Sequence, residues 1–442
     1  MKLYLKIYYL RIFIFLNILI IGLSFPLQVE LNNSYVYLIP IILTMVLFIN
    51  LKKNIANIKF DFTDLLILIL TIVVSLNSIA QFLISNLNVS KFVNLLTFFV
   101  SIQFYIYFKF YANERSLQYF KFAVLFIGIV AAIFFIYDSY YKFYLFEPSN
   151  FSKLATEYQN LRAGNEEVTS RSLIDYRSAG LLDKAPISAA YVSFALFISL
   201  SESKYNPRLI YILLSLFLSI SLLLSLNFST ILCAMLSIFL INYRMLSLAY
   251  LKINYKLILF PILLIILLII IIFLLLIVIE TDLLKNLLES YNTFIFSSSS
   301  NGPTLLSRLT EEIEAIFTYQ SNIISFLFGD GYPGNYYNNY TKGGDFGFID
   351  NIIGMGIFLY IFFIFVIFKN IMVNFRELNR TGNYLYTNLA ILILLFVILM
   401  DSHYTILFFK SITPIFFIAL GILSKETNKL SIHKKINEIY NY

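Results

Sequence analysis

Residues 119–137 read YFKFAVLFIGIVAAIFFIY, and Lys121 carries the one charged side chain in this stretch of 19 residues. A helix needs roughly 20 mostly apolar residues to cross the hydrocarbon core of a bilayer. The stretch therefore predicts a membrane-spanning helix, and apolar stretches of similar length lie on either side of it.

Repeating this test along the chain predicts an all-α protein, a polytopic transmembrane helical bundle of about 12 spans. The hydrophobic share of the chain, 60%, supplies that many spans. The predicted spans are 8–24, 35–51, 65–84, 92–111, 119–137, 186–201, 208–225, 228–243, 256–278, 348–368, 384–400 and 405–424.

Two long polar gaps interrupt the spans and divide the chain into six parts. Long surface loops often carry binding or catalytic residues. We therefore expect each of the two loops to carry a short amphipathic helix or a binding segment. The parts are spans 1–5 (1–145), the first long loop (146–185), spans 6–9 (186–278), the second long loop (279–347), spans 10–12 (348–424) and a tail (425–442).

The basic residues indicate which side each loop occupies. Most of the 32 Lys and Arg residues fall on the face that holds the N-terminus, including every short loop on that face. The positive-inside rule therefore places both termini in the cytoplasm and both long loops outside. The net charge of +7 reflects this topology and gives no indication of nucleic-acid binding, for which basic residues would cluster on one face.

Metal and disulfide chemistry are poorly supported by the residue content. Cys233 is the only cysteine, so an intramolecular disulfide and a cysteine-based metal site are excluded. His403 and His433 are the only histidines, which makes a zinc site improbable. We therefore predict no metal and no cofactor.

The first long loop ends in Tyr176-Arg177-Ser178-Ala179-Gly180, shortly before the sixth span. An arginine at the outer headgroup level can hold a phosphate with two parallel hydrogen bonds. The alternative is an interfacial arginine whose stem lies in the apolar region while its head reaches water.

The second long loop contains a predicted amphipathic helix that starts near Pro303 and carries Arg308 and Glu311 on its polar face. Such a helix can lie on the membrane or cap a cavity. Gly329-Asp330-Gly331 follows and predicts a tight turn, since glycine adopts positive φ without steric cost.

The loop ends in Gly343-Gly344-Asp345-Phe346-Gly347-Phe348-Ile349-Asp350-Asn351, which leads without a break into the tenth span. Asp345 and Asp350 thus enter an apolar helix, where desolvation can make a carboxylate a usable base. Acids at a helix N-terminus also complement the helix dipole, which is the alternative reading.

The order of these features resembles the O-antigen and capsular polysaccharide polymerase family, and more distantly the O-antigen ligases. The architecture is similar over most of the chain, and the motifs are confined to 177–180 and 308–357. The resemblance implies an integral-membrane glycosyltransferase at the outer face of the bacterial cytoplasmic membrane. It would join oligosaccharide repeat units carried on undecaprenyl diphosphate, with the lipid bilayer and a chain-length regulator protein as further partners and no metal.

The resemblance also implies roles for particular residues. Arg177 and Arg308 would stabilise the diphosphate leaving group, and Asp345 would be the base that activates the acceptor hydroxyl. The alternates for the base are Asp350, Glu311 and His403, and the supporting turn and helix residues are Gly180, Glu311, Gly329, Gly331 and Gly347.

Two alternative functions are considered. A ligase often has a histidine where this chain has an acid, and residues 335–352 contain none, which favours the polymerase. A flippase or transporter of lipid-linked oligosaccharide would need charged residues in the middle of its spans, and these are scarce here.

Overall fold

The computed structural model describes residues 12, 15–31, 60–85, 89–145, 148–155, 180–182, 184–205, 207–249, 327, 329, 347–381, 385–402, 406, 407, 409 and 411–440. Within these ranges all of the regular secondary structure is helical, as predicted.

The helices are numbered in chain order. They are α1 (Ser24–Leu31), α2 (Phe62–Ser85), α3 (Val89–Ile106), α4 (Glu114–Tyr140), α5 (Ala185–Tyr205), α6 (Leu209–Leu224), α7 (Phe228–Ala249), α8 (Gly347–Met355), α9 (Ile357–Thr381), α10 (Leu385–Asp401) and α11 (Thr413–Tyr440). Two π-helical turns, π1 (Tyr107–Tyr111) and π2 (Tyr141–Leu145), continue α3 and α4, and residues 15–22 and 150–155 are helical as well.

Three of the described helices are long and apolar enough to cross a membrane. They are Glu114–Tyr140, Ala185–Lys204 and Ile357–Phe375. The first two coincide with the predicted spans at 119–137 and 186–201, and the third overlaps the predicted span at 348–368 from residue 357 onward. Shorter apolar helices cover Phe62–Leu76, Leu209–Leu224, Ser229–Asn242 and Leu385–Asp401. The predicted spans at 35–51 and 256–278 lie outside the described residues.

Helix α5 is the most enclosed of the three long helices, with 89% of its apolar window buried. It packs against α4, α6, α7 and α10. At one crossing Gly128 of α4 faces Ala195 of α5, and a Cβ on the glycine would clash with the alanine methyl group. Small residues of this kind let two helices approach closely in a membrane, where packing replaces the hydrophobic effect as the driving force.

A charged cluster joins α2, α3 and α11 at one end of the bundle. The ammonium group of Lys109, which lies in π1, is 2.8 Å from Asp61 Oδ2 and 2.6 Å from Asp64 Oδ2. Tyr105 donates a hydrogen bond to Asp64 Oδ1 at 2.8 Å, and Ser424 of α11 donates to Asp61 Oδ2 at 3.1 Å. Burial alone would raise the pKa of Asp61, but the hydrogen bond and charge of Lys109 lower it below its ordinary value.

The tenth span is not continuous, which corrects the prediction for 348–368. Helix α8 ends at Met355, Gly356 has a φ of 83°, and α9 begins at Ile357. Glycine is the residue that adopts this left-handed conformation without a steric penalty, so the backbone changes direction at Gly356. An apolar sequence alone cannot reveal such a break.

The twelfth span also differs from the prediction for 405–424. Helix α11 begins at Thr413 and continues to Tyr440, and none of the described residues between 402 and 412 is helical. Of these, Ile406 and Leu407 are buried. Irregular backbone is tolerated at membrane depth when protein surrounds it. Hydropathy does not distinguish such backbone from a helix, so it predicted a helix here.

Candidate functional site

Asp350 lies in the first turn of α8 and is 1% exposed. The helix begins at Gly347, a predicted supporting residue, and packs against α2, α9 and α10. The carboxylate of Asp350 is therefore enclosed by helices from both ends of the sequence, as expected for an acid at the entrance of an apolar span.

A second buried carboxylate lies beside Asp350. Asp401 is the last residue of α10 and is 2% exposed. Its Oδ2 accepts a hydrogen bond from the side-chain amide of Asn351, and its Oδ1 accepts one from the Leu407 backbone N–H at 3.3 Å. Asn351, the residue after Asp350, thus joins Asp401 to the helix that carries Asp350.

Residue 329 of the second long loop packs against the break between α8 and α9. Gly329 has a φ of 77°, and a Cβ built on it would clash with the carbonyl oxygen of Gly354 and lie 2.5 Å from the amide nitrogen of Gly356. Only glycine fits both the conformation and the space. The predicted Gly-x-Gly turn thus begins against the helix that carries Asp350.

Residues 180–182 fold against the start of α5. Gly180 has a φ of 82°, and a Cβ there would lie 2.8 Å from the Cα of Ala185. The backbone N–H of Leu182 donates to Ser188 Oγ at 2.8 Å, which fixes the turn to the helix. Arg177 itself lies three residues earlier, outside the described residues.

A further contact joins the start of α5 to the turns that follow α10. The hydroxyl of Tyr191 donates to the carbonyl oxygen of Ser411 at 2.7 Å, and both residues are buried. Helix α8 thus contacts Asp401 through Asn351, and the first half of α5 contacts Ser411 through Tyr191, so these residues lie at one end of the bundle. This end is the candidate functional site.

Of the predicted site residues, the structure places four. Asp350 is buried, Gly347 starts its helix, Gly329 contacts the break below it, and Gly180 lies at the start of α5. The other six, Arg177, Arg308, Glu311, Gly331, Asp345 and His403, lie outside the described residues.

Asp401 and Asn351 were not predicted as site residues from the sequence. The signal for Asp401 was an acid directly after a fully apolar span and two residues before His403. Asn351 follows Asp350, and a buried amide beside a candidate base is a natural partner for another buried acid. The role of either residue depends on the contact between α8 and α10. No local sequence pattern predicts that contact.

Comparison with known proteins gave no match to a family model, to a curated protein or to a solved structure. The fold itself defines the class: an all-helical protein with helices that can span a membrane.

Proposed function

We propose that this protein is an integral-membrane glycosyltransferase that polymerises undecaprenyl-diphosphate-linked oligosaccharide units into O-antigen or capsular polysaccharide. The observation that supports this most is the position of Asp350. It is a buried carboxylate at the entrance of a broken apolar helix, beside Asp401, where the second long loop contacts the bundle through Gly329.

The proposal includes a topology of about twelve spans, with both termini in the cytoplasm of a bacterium and both long loops outside. Asp350, Asp401 and Gly180 then lie at the outer end, and the Lys109 cluster lies at the cytoplasmic end. Reporter fusions after Asn165 and after Asn338 test this arrangement, since only an externally active reporter should give a signal at either site.

The reaction exchanges one glycosidic carbon–oxygen bond for another. The bond between the anomeric carbon of the donor sugar and the diphosphate oxygen breaks, and the electron pair leaves with undecaprenyl diphosphate. A hydroxyl oxygen of the second lipid-linked unit bonds to the anomeric carbon and gives its proton to a carboxylate.

The leaving group determines what the site must stabilise. Negative charge develops on the diphosphate in the transition state, and cationic donors already in place there lower the barrier most. Arg177 and Arg308 are the proposed donors. Both are in the long loops, and each loop contacts the bundle through a described glycine, Gly180 in the first loop and Gly329 in the second.

The base in this proposal is Asp345, two residues before α8 begins, with Asp350 and His403 as the alternates. Asp350 and Asp401 form the buried acidic end of the same helix pair. A carboxylate at this end of the pair can accept the proton of the acceptor hydroxyl when it is positioned beside that hydroxyl.

The chain-length profile of surface polysaccharide in a deletion strain tests the function. A single repeat unit on the lipid A core or on the carrier supports the polymerase. Polymer retained on the carrier but lost from the core would instead show a ligase, and an unchanged profile would exclude both functions. Complementation should fail with Asp350→Asn.

A further inference from the structure

The turn between α6 and α7 has a strained backbone. It comprises Ser225, Leu226 and Asn227, and Leu226 has a φ of 49°. Among the described residues, Leu226 is the only non-glycine with a positive φ. Strain of this kind is found preferentially at ligand-binding positions, where the surroundings hold the backbone in place.

The side-chain amide of Asn227 has a fixed orientation. Its Oδ1 accepts a hydrogen bond from Ser229 Oγ at 2.9 Å and another from the Thr230 backbone N–H at 3.3 Å. The Thr230 N–H can only donate, so the accepting atom must be the oxygen, and the Ser229 hydroxyl then donates to it as well. The Nδ2 atom therefore carries two N–H donors on the side of the amide that faces away from these two partners.

These donors are buried without an acceptor among the residues that the structure describes. Asn227 is 2% exposed, and its Nδ2 has no hydrogen-bond partner there. The hydroxyl of Thr230, which is fully buried in the same turn, has none either. Buried polar groups nearly always have a partner, so two such groups in one turn indicate a place for an oxygen-bearing ligand.

The position of the two side chains indicates the charge of that ligand. Helix α7 has 22 residues, and Asn227 and Thr230 lie at its N-terminus. The aligned peptide dipoles give a helix N-terminus a partial positive charge. Helix N-termini with free donors bind phosphate and similar anions.

The turn lies at the same end of the bundle as the candidate site. Lys121 near the start of α4 forms an ion pair with Glu202 near the end of α5, so the two helices run antiparallel and the end of α4 lies beside the start of α5. The hydroxyl of Ser139, at the end of α4, donates to the carbonyl oxygen of Leu224 at 3.3 Å. The turn after Leu224 therefore lies near the start of α5.

The negative charge of Asp138, near the end of α4, is already compensated. Asp138 Oδ1 accepts hydrogen bonds from Ser149 Oγ at 2.7 Å and from Ser152 Oγ at 2.8 Å. The ammonium group of Lys142 lies 3.7 Å from Asp138 Oδ2. An anion at the turn thus faces a carboxylate whose charge is largely offset.

We propose that the N-terminus of α7 binds an oxyanion of the phosphate class through Asn227 Nδ2 and Thr230 Oγ1. The binding of phosphate follows from the donors and the helix dipole. Assigning that phosphate to the diphosphate of a lipid-linked donor, rather than to a lipid headgroup, rests on the proposed function.

Two substitutions remove the donors while preserving the helix cap. Asn227→Asp keeps an oxygen for the Thr230 N–H, because Asp caps a helix as well as Asn does, but it lacks N–H donors and adds a negative charge. Thr230→Val keeps the shape and loses the hydroxyl. Ser221→Ala is the matched control, since Ser221 is a buried hydroxyl one turn earlier that already donates to the Phe217 carbonyl.

The experiment titrates inorganic pyrophosphate into the full-length protein in a maltoside detergent and phosphate-free buffer. We expect slower amide hydrogen exchange across 225–231 and an affinity about tenfold or more weaker in Asn227→Asp and Thr230→Val. Ser221→Ala should bind as the wild type does. Unchanged exchange in the wild type at saturating pyrophosphate, or full affinity in both donor variants, would overturn the inference.

Competition then identifies the source of the phosphate. Displacement of pyrophosphate by undecaprenyl-diphosphate oligosaccharide, and not by phosphatidylglycerol, indicates the lipid-linked donor. The reverse order indicates a headgroup site. If the protein binds pyrophosphate at this turn but makes no polymer, this inference stands and the proposed polymerase function fails. The two failures are therefore distinguishable.

Discussion

The side-chain amide of Asn351 donates a hydrogen bond to the carboxylate of Asp401, fifty residues further along the chain. This bond joins the helix that carries Asp350 to the end of α10. Both partners are buried, so the bond fixes the acidic end of the candidate site at the junction of two helices.

Asn351→Leu should weaken that junction. Replacing the amide leaves a buried carboxylate oxygen without its donor, which costs about 1–3 kcal/mol. We expect a lower unfolding temperature of the purified protein and less polymer. Ser402→Ala is the control, because Ser402 is exposed and donates only to the Leu399 carbonyl of its own helix. Equal stability of Asn351→Leu and Ser402→Ala would show that the bond contributes nothing.

Gly329→Ala should disrupt the contact between the second long loop and the break at Gly356. The left-handed conformation costs an alanine roughly 1–2 kcal/mol, and the added methyl group meets the backbone of Gly354, which cannot move aside cheaply. We expect reduced membrane levels and loss of polymer.

Gly22→Ala provides the comparison for that substitution. The three atoms nearest to a methyl group there all belong to the Ile127 side chain, with Cγ1 at 3.1 Å and Cγ2 at 3.3 Å, so a side chain and not the backbone has to shift. Similar polymer profiles from Gly329→Ala and Gly22→Ala would contradict a positioning role for Gly329.

The sequence predicted the helical membrane architecture because a bilayer imposes a long apolar run on any helix that crosses it. Residues 119–137 and 186–201 lie in helices that are long and apolar enough to span a membrane. The break at Gly356 was not predicted, since its neighbours are apolar and one glycine in such a run is ordinary. The turns around Ile406 were missed for the same reason, because buried irregular backbone and helix have the same hydropathy.

The candidate site was partly predictable. Gly180 and Gly329 were selected as turn residues, and both adopt the positive φ that turns of this kind require. Asp350 was selected because an acid entering an apolar helix is unusual. Asp401 and Asn227 were not, since their significance comes from a bond across fifty residues and from a buried amide with no acceptor in the described part of the chain.

Lys109→Met should destabilise the opposite end of the bundle. Removing one partner of a buried ion pair leaves the other charge uncompensated, which costs about 3–5 kcal/mol. Asp61 and Asp64 would both lose their cation. We expect strongly reduced protein in the membrane, measured by immunoblot, with partial recovery when Asp64→Asn is added.

Lys369→Met is the matched control for the lysine. Lys369 is exposed at the same end of the bundle and lies over the ring of Phe62 at 4.9 Å. An exposed contact of this type contributes about 0.5–1 kcal/mol. Comparable protein levels in the two variants would argue against a structural role for the Lys109 cluster.

Arg177→Ala and Arg308→Ala should each abolish polymer while protein levels stay near normal. Their proposed role is to stabilise the diphosphate, which matters in the reaction and little in folding. Lysine at either position should restore only part of the activity, because a point charge cannot reproduce two parallel hydrogen bonds. Normal polymer from either alanine variant would identify that arginine as interfacial.

The central claim is that an acid at the start of α8 activates an acceptor sugar outside the membrane. The most direct test is the purified protein with synthetic undecaprenyl-diphosphate oligosaccharide, with product length followed on a gel. The wild type should produce a ladder, and Asp345→Asn should lower turnover by about 10² to 10⁴, the usual contribution of a positioned base, without loss of donor binding. A near-normal ladder from Asp345→Asn but not from Asp350→Asn would move the role to Asp350, whereas no ladder from the wild type, or normal ladders from both variants, would contradict the account.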